Sequence, residues 1–455
     1  MMYRLIRFVL GLSLRGFFRT VSVQGIDRIP RSGPVLLISN HANAFVDPLL
    51  VLVSVQRRIT LTAKSTLLGH PLLAPLIRAV GVVLLHRAQD VAHGADPRAN
   101  VEALATLART LRRGGAVYLF PEGQSHSDPG LRPFRTGAAR VALDVVGDGA
   151  GEADLAIVPI GLHFEQKERW RSEAIALVGQ ARSARAWRRE HPEADARALT
   201  RAMEAWVREI TLNTDRDEDR RLLVGAAGLL EGVDARPPML GQEPPWAAEA
   251  HVARAHRLLE GARWLARHRP VALADLRARV AGLTERLDGL GLRPEELNLD
   301  LGWGRAAFFV VRELELLLVG APLALWGWLN HLPALLTVKA LVRRMSTELD
   351  QWASNAVFAA PPVFAAFYAL QVGAAFLLLP GAWALAYALS LPLTGWVALL
   401  YRDRAGGARR RTRTFLRLRS RPAELDALAG ELRDLALAVS ALELEIPDDA
   451  DRHDL

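Results

Sequence analysis

The sequence contains no cysteine among its 455 residues. This absence excludes disulfide frameworks, thiolate nucleophiles, and zinc or iron–sulfur sites with cysteine ligands. Lysine is scarce too, since only Lys64, Lys167 and Lys339 occur and all other cationic side chains are Arg. The 57 Lys and Arg exceed the 49 Asp and Glu by a net charge of +8. That excess fits an anionic membrane surface or a phosphorylated substrate, and it is too small and diffuse to indicate nucleic-acid binding.

Two long runs near the C-terminus have no charged residue, one over residues 355–379 and one over 381–401. Each is long enough to cross a bilayer, so we predict a transmembrane helical hairpin over residues 355–401. The alternative is a buried helical hairpin of a soluble protein. Basic residues precede the first run and follow the second, which places both ends in the cytoplasm by the positive-inside rule.

The N-terminal residues 1–20 combine apolar side chains at helical spacing with Arg4, Arg7, Arg15 and Arg19. They lack the clean apolar core and small-residue cleavage site of a secretory signal. This pattern predicts an interfacial membrane helix with its Arg side chains near lipid phosphates. An ordinary amphipathic core helix is the alternative.

Residues 21–215 alternate short apolar runs with segments of helical periodicity. The runs are Val35–Ser39, Gly81–Leu85, Ala116–Phe120 and Ala156–Ile160, and they have the length and flanking residues of buried strands. Alternation of strands and helices predicts an α/β domain with a central mixed sheet flanked by helices.

The remaining segments are predicted to be helical. Residues 216–305 form a helical extension, and residues 306–338 form re-entrant or interfacial helices interrupted at Pro322 and near Pro333. Residues 402–455 comprise a basic segment and an amphipathic tail helix. Residues 183–300 have no pattern that indicates a catalytic group, and we interpret them as solvated helices.

Polar residues follow the predicted strands of the α/β domain. Asn40, His41 and Asp47 follow the first strand, and a histidine with a nearby carboxylate can act as a general base with its orienting partner. Such a spacing also occurs by chance. The second strand contains Gly81 and is followed by Arg87, which can hold a phosphate in a bidentate fork or lie at the surface.

The third strand is followed by Glu122, Gly123 and Ser125, and then by Arg135. A Glu-Gly turn at a strand end places a carboxylate and backbone N–H groups at the edge of a cleft. Lys64, between the first two motifs, could contact a substrate phosphate, but we interpret it as a surface residue. The histidine spacings match no metal-binding motif, so we expect no metal site.

The order of these motifs resembles the glycerolipid acyltransferases of phosphatidate synthesis over residues 20–215. That family has four blocks, NH-x4-D, G-x5-R, FPEG-x-S and a VPI-type strand. Here they correspond to Asn40 to Asp47, Gly81 to Arg87, Phe120 to Ser125, and Val158 to Ile160.

The resemblance implies transfer of an acyl group from a thioester, on coenzyme A or acyl-carrier protein, to a hydroxyl of a phosphorylated glycerol. His41 would be the general base and Asp47 its partner. Substrate would be bound by Asn40, Gly81, Arg87, Glu122, Gly123, Ser125 and Arg135. No cofactor is implied beyond the acyl donor, and the expected site of action is the cytoplasmic face of a bacterial inner membrane.

The sequence departs from the family in two places. Five residues separate His41 from Asp47 where most members have four, and this HANxFVDP form resembles the fungal-type glycerol-3-phosphate or dihydroxyacetone-phosphate acyltransferases and their bacterial relatives. Arg135 stands where most members have Lys, so a planar fork replaces a compact ammonium. Glycerol-3-phosphate and 1-acylglycerol-3-phosphate therefore both stay open as acceptors. An inactive acyltransferase-like membrane scaffold is the alternative function.

Overall fold

The computed structural model describes residues 2–65, 81–85, 97–147, 154–214, 216–234, 248–292, 294–298, 303–346, 348–420, 422–443 and 445. The chain forms two compact units. The first contains residues 1–213 and 332–374, and the second contains residues 214–331 and 375–455.

The first unit contains a mixed sheet of eight strands. These are β1 Thr20–Gln24, β2 Val35–Ser39, β3 Ile59–Lys64, β4 Val83–Leu85, β5 Ala116–Leu119, β6 Ala156–Phe164, β7 Glu173–Val178 and β8 Arg182–Ser183. The order is β1-β7-β6-β2-β5-β3-β4, with β8 paired to β6. Only the β6–β7 and β6–β8 pairs are antiparallel among the described strands. The predicted α/β fold with a mixed central sheet is confirmed.

Helices cover both faces of this sheet. They are α1 Met2–Phe17, α2 Val46–Ser54, α3 Pro97–Arg112, α4 Gly137–Val146, α5 Ala184–Glu190 and α6 Ala196–Arg208. Helices α1 and α2 share one apolar core with the sheet, and α3, α4 and α6 share the other. All five residues of β2 are buried because the strand is central and covered on both faces. The carboxyl ends of β2 and β5, which run parallel, therefore meet at one edge of a rigid sheet.

Helix α1 has two different apolar faces. Leu10 and Leu14 are buried in the core of the first unit, whereas Phe8 is 68% exposed and Leu5 is 56% exposed. The Arg171 guanidinium and the Trp170 indole donate hydrogen bonds to carbonyls at the C-terminal end of the helix. The helix therefore packs as a core element on one face and presents apolar side chains on the other.

Three long helices follow in the C-terminal part, α10 Trp303–Met345, α11 Leu349–Leu378 and α12 Gly381–Ser420. The predicted interruption of residues 306–338 is wrong, because α10 passes through Pro322 and Pro333 as one helix. A proline removes one backbone donor and can kink a helix without ending it. Two segments of the described chain, Gln351–Leu378 and Gly381–Gly406, are long and apolar enough to cross a membrane.

The second unit has a small helical core of its own. Helices α7 Asp217–Asp234, α8 Ala248–His268, α9 Pro270–Leu290 and α13 Pro422–Glu443 belong to it. Leucines of α9, such as Leu283 and Leu287, are buried against Leu428 and Leu432 of α13. The tail helix therefore packs on the helical extension by apolar burial, which is the main source of stability for amphipathic helices.

Candidate active site

The loop after β2 brings His41 and Asp47 together. His41 Nδ1 lies 2.8 Å from Asp47 Oδ2, and the same oxygen accepts a hydrogen bond of 2.8 Å from the Asn43 backbone N–H. Asp47 is fully buried in the first turn of α2, and the His41 side chain is 14% exposed. The Asp47 carboxylate thus holds Nδ1 of the His41 ring, and Nε2 is the nitrogen available for proton transfer. The His41 ring stacks on Phe120 with a centroid distance of 4.1 Å.

Burial dominates the electrostatics of Asp47. It raises the pKa of the carboxyl above its ordinary value of 3.8, while the contacts with His41 and Asn43 and the charge of Lys167 act in the opposite direction. Beneath the loop, the Tyr118 hydroxyl and the Ser39 hydroxyl lie 2.8 Å apart. Burial also raises the pKa of Tyr118 well above its ordinary value, so this phenol stays neutral. This buried pair of hydroxyls therefore stays uncharged near neutral pH.

The Glu122 side chain links the loop that contains His41 to the loop after β5. Its buried carboxylate accepts hydrogen bonds from the backbone N–H groups of His41 (2.8 Å) and Arg132 (3.0 Å), and it is paired with the His126 ring. The His126 backbone N–H also donates to the His41 backbone carbonyl over 3.1 Å. Glu122 therefore positions the backbone of the general-base candidate, and it is not among the residues that line the cavity described next.

His41 opens into a cavity of about 330 Å³, a volume within the range of small-molecule sites. The cavity has apolar walls that include Leu85, Leu104 and Leu119. Three cationic residues, Lys64, Arg135 and Arg140, also line it. A mainly apolar cleft with convergent cations and one imidazole can hold an acyl chain beside a phosphate.

Gly123 allows Arg135 to lie close to the turn after β5. Its φ of +79° is in the region that favours glycine, and a Cβ atom there would lie 2.9 Å from Arg135 Nε. The Arg135 backbone N–H donates to the Pro121 carbonyl over 2.8 Å. The FPEG turn and Arg135 therefore form one wall of the cavity. Their order in the sequence does not show that they lie together.

Two lysines near the site were not recognised from the sequence. The interpretation of Lys64 as a surface residue is wrong, because it ends β3 and lines the same cavity as His41. Lys167, after β6, donates to the Ala42 carbonyl (3.0 Å) and to the Ser127 hydroxyl (2.7 Å). It ties the loop after β2 to the loop after β5. The alternating pattern of β3 was the one sequence signal that could have placed Lys64 on a strand.

The other predicted substrate-binding residues have varied positions. The Asn40 amide exchanges two hydrogen bonds with the Leu162 backbone, of 2.8 and 3.1 Å, and so joins β2 to β6. Gly81 has a φ of +76° just before β4, and Ser125 lies in the loop after β5. Arg87 lies outside the described residues. Substrate contact by these four residues stays a prediction.

No group of three His, Asp or Glu side chains with the arrangement of a metal site occurs within the part of the chain that the structure describes. Near the site, the Arg132 guanidinium donates a hydrogen bond of 2.6 Å to Asp128, and this contact lowers the pKa of the Asp128 carboxyl.

Comparison with known proteins finds a family model for this part of the chain. The acyltransferase family model matches residues 20–163, from β1 into the end of β6. An uncharacterised acyltransferase of Schizosaccharomyces pombe is 24% identical over 256 residues, which cover 38% of each chain. A chloroplastic 1-acyl-sn-glycerol-3-phosphate acyltransferase of Arabidopsis thaliana is 29% identical over 153 residues, covering 33% of this chain and 38% of that one.

Glycerol-3-phosphate O-acyltransferase 2 of Saccharomyces cerevisiae is 38% identical over 85 residues, covering 18% of this chain and 11% of the yeast protein. The crystal structure of a 1-acyl-sn-glycerophosphate acyltransferase from Thermotoga maritima superposes with a TM-score of 0.35 at 20% identity, covering 45% of this chain and 77% of that one. The chain spans 38% of the length of each of the first two relatives. Residues 20–163 therefore match the acyltransferase family model, and proteins named as 1-acyl-sn-glycerol-3-phosphate and glycerol-3-phosphate acyltransferases are among those to which this chain is similar.

Proposed function

We propose that the protein moves a fatty acyl group from a thioester donor to a hydroxyl of glycerol-3-phosphate or 1-acylglycerol-3-phosphate in phospholipid synthesis. The observation that carries this proposal is the His41–Asp47 pair, with its 2.8 Å contact, because His41 lines the same cavity as Lys64 and Arg135. A general base and phosphate-binding cations within one cleft are the groups that acyl transfer to a phosphorylated alcohol requires.

In this mechanism His41 Nε2 removes the proton from the acceptor hydroxyl as the oxygen attacks the thioester carbonyl. The carbon–oxygen bond forms, the tetrahedral intermediate collapses, and the carbon–sulfur bond breaks. The imidazolium returns its proton to the departing thiolate, so the enzyme ends the cycle unchanged. Asp47 stabilises the imidazolium throughout. The donor is acyl-coenzyme A or acyl-carrier protein, and no further cofactor enters these steps.

The direct test is release of free thiol from acyl-coenzyme A, measured with a panel of acceptors. Thiol release with glycerol-3-phosphate but not with 1-acylglycerol-3-phosphate assigns the first acylation step, and the opposite result assigns the second. Neutral glycerol and monoacylglycerol are the matched controls, because they lack the phosphate. If no acceptor accelerates thiol release, the proposal fails and the scaffold function takes its place.

The Arg135 guanidinium is proposed to bind the acceptor phosphate. Replacement by alanine should raise the KM for the acceptor about 10- to 100-fold with a smaller change in kcat, since a charge-assisted hydrogen bond is lost. Steady-state kinetics at varied acceptor concentration measure this. Arg132→Ala is the control, because its guanidinium pairs with Asp128 at the surface. Equal KM values in Arg135→Ala and the wild type would remove Arg135 from the phosphate site.

The bilayer is the proposed partner of this protein. Apolar side chains are exposed on α1, at Phe8, and along α11, where Leu377 is 87% exposed. The two long apolar segments are proposed to span the bacterial inner membrane, with the acyltransferase domain on the cytoplasmic side. Both the acyl product and a lysophospholipid acceptor are lipids, which favours a site at the membrane surface. The protein should resist extraction from membranes at alkaline pH, and release into the supernatant would contradict the spans.

A further inference from the structure

Helix α2, which carries Asp47, begins without a cap of its own. The residue before its first turn is Phe45, whose side chain has no hydrogen-bonding group. The N-terminal N–H groups of a helix need acceptors from outside the helix, and Ser, Thr, Asp or Asn usually provides one from this position. The catalytic loop therefore depends on another part of the chain for this contact.

Ser354, in the second turn of α11, provides the missing acceptor. Its Oγ accepts hydrogen bonds from the backbone N–H groups of Phe45 (2.9 Å) and Val46 (3.3 Å). The same hydroxyl donates to the Asn43 carbonyl over 3.2 Å. Ser354 is 1% exposed, so water does not compete for these contacts. One side chain thus contacts three backbone groups of the loop between His41 and Asp47, and two of these, the Val46 N–H and the Asn43 carbonyl, also bond to each other over 2.9 Å.

The three contacts enclose a strained residue. Ala44 has a φ of +37°, which non-glycine residues rarely adopt and which persists only when the surroundings hold it. Ser354 bonds to the residue before Ala44 and to the two residues after it. The loop here also has five residues between His41 and Asp47, one more than the NH-x4-D pattern.

Apolar packing places Ser354 with little freedom. Its neighbours Ala353 and Val357 are fully buried in the core that contains α1 and α2. The Phe45 and Phe358 rings meet edge to face with centroids 5.4 Å apart. The Ser13 hydroxyl of α1 donates to the Val357 carbonyl over 2.6 Å. All of these residues belong to the first unit.

We propose that Ser354 is a positioning residue for the reaction, through which an apolar helix outside residues 20–163 holds the loop of His41 and Asp47 in its productive geometry. The inference rests on the proposed function for its kinetic consequence. Ser354 does not touch the cavity, and it acts through Asn43, Phe45 and Val46. An error of about 1 Å in the position of a catalytic group can lower a rate about 10²-fold, so loosening this loop should affect the chemical step more than binding.

The experiment compares three variants of the full-length protein in lipid nanodiscs. Ser354→Ala removes the hydroxyl that caps α2. Ser13→Ala is the matched control, because it removes the hydrogen bond that joins α1 to the same helix without touching the loop. Ser354→Thr keeps a hydroxyl and tests for rescue. Thiol release gives kcat and KM, and amide hydrogen exchange reports on Phe45 and Val46.

For Ser354→Ala we expect kcat to fall about tenfold with KM for the acceptor within about twofold of the wild type. Exchange of the Phe45 and Val46 amides should become about fivefold faster or more. Ser13→Ala should leave all of these quantities within about twofold of the wild type, and Ser354→Thr should recover most of the lost kcat.

Equal effects of Ser354→Ala and Ser13→Ala, or a change confined to KM, would overturn the positioning role. A wild type without turnover on any acceptor would refute the proposed function instead. In that case the exchange rates still decide whether Ser354 holds the loop.

Discussion

Replacement of His41 by alanine should lower kcat for acyl transfer about 10²- to 10⁴-fold, the range by which general-base catalysis accelerates reactions. The acceptor hydroxyl has a pKa far above neutrality, and its attack on a thioester needs a group that accepts the proton during the reaction. Of the residues that line the described cavity, His41 is the one that is held by a buried carboxylate. No neighbouring side chain of the cavity can take over this role, since Lys64, Arg135 and Arg140 are cationic.

The same substitution should also lower the folding stability. The His41 side chain lines the cavity, is 14% exposed and stacks on Phe120, and its Nδ1 is a hydrogen-bond partner of the fully buried Asp47 carboxyl. Its removal leaves that carboxyl buried with one partner fewer, so the unfolding temperature should fall. Thermal unfolding, measured on the preparation used for thiol release, should show that the variant is still folded at the assay temperature, so that the loss of kcat reports on catalysis.

His191→Ala is a closely matched control. His191 also stacks on an aromatic ring, that of Trp187, with a centroid distance of 4.8 Å and the same interplanar angle of 21°. It lies at the end of α5 and does not line the cavity. This variant should keep the wild-type kcat. If His41→Ala also kept it, the assignment of His41 as the base would be wrong.

Burial explains three of the four strands that the sequence predicted. The apolar runs that became β2, β5 and β6 are mostly buried, because these strands lie inside the sheet and are covered on both faces. The fourth run became β4, a half-buried strand at the edge of the sheet. Strands β1 and β3 were not predicted. Their residues are mostly half-buried, so their composition resembles that of loops, and pairing to β7 and β5 determines their conformation.

The order of the four motifs predicted the resemblance to acyltransferases and proposed His41, Asp47 and Arg135 as site residues. There is a physical reason why the contacts that support these residues could not be predicted from the sequence. Ser354 lies 309 residues from Phe45, and a serine in an apolar helix has no local pattern that reveals a partner in a distant loop. Glu122 was assigned to substrate binding, yet its carboxylate is occupied by backbone N–H groups, which no residue pattern can show.

Replacement of Asp47 by asparagine is the second change with a large expected effect. His41 Nδ1 and the Asn43 N–H contact the same oxygen, Asp47 Oδ2. An asparagine can place its amide oxygen there and keep both hydrogen bonds, so the orientation and tautomer of the ring should survive. The negative charge alone is lost. Because the charge stabilises the imidazolium formed in the transition state, kcat should fall about 10²-fold, as expected when a charge-assisted hydrogen bond becomes neutral.

The folding stability of Asp47→Asn should be higher than that of the wild type, although its kcat is lower. Burial raises the pKa of Asp47 above 3.8. Between pH 3.8 and the higher pKa of the folded state, the Asp47 carboxyl therefore keeps its proton in the folded protein but has released it in the unfolded chain. Stability of the wild type therefore declines as pH rises from about 3.8 through the pKa of the folded state. Asparagine does not titrate. The unfolding temperature of Asp47→Asn relative to the wild type should rise over the same interval and stay at its higher value at neutral pH.

Two further variants identify the cause of these changes. Asp144→Asn removes an exposed carboxylate that pairs with Arg112 over 2.9 Å, and it should change neither kcat nor the dependence of stability on pH beyond a small amount. Asp47→Ala also leaves the buried Asn43 N–H without an acceptor, so it should lose stability as well as activity. If Asp47→Asn were less stable than the wild type at neutral pH, and the difference vanished in acid, the carboxylate would stabilise the fold. Its buried charge would then be compensated by its partners, although its second oxygen, Oδ1, has no hydrogen-bond donor among the described residues.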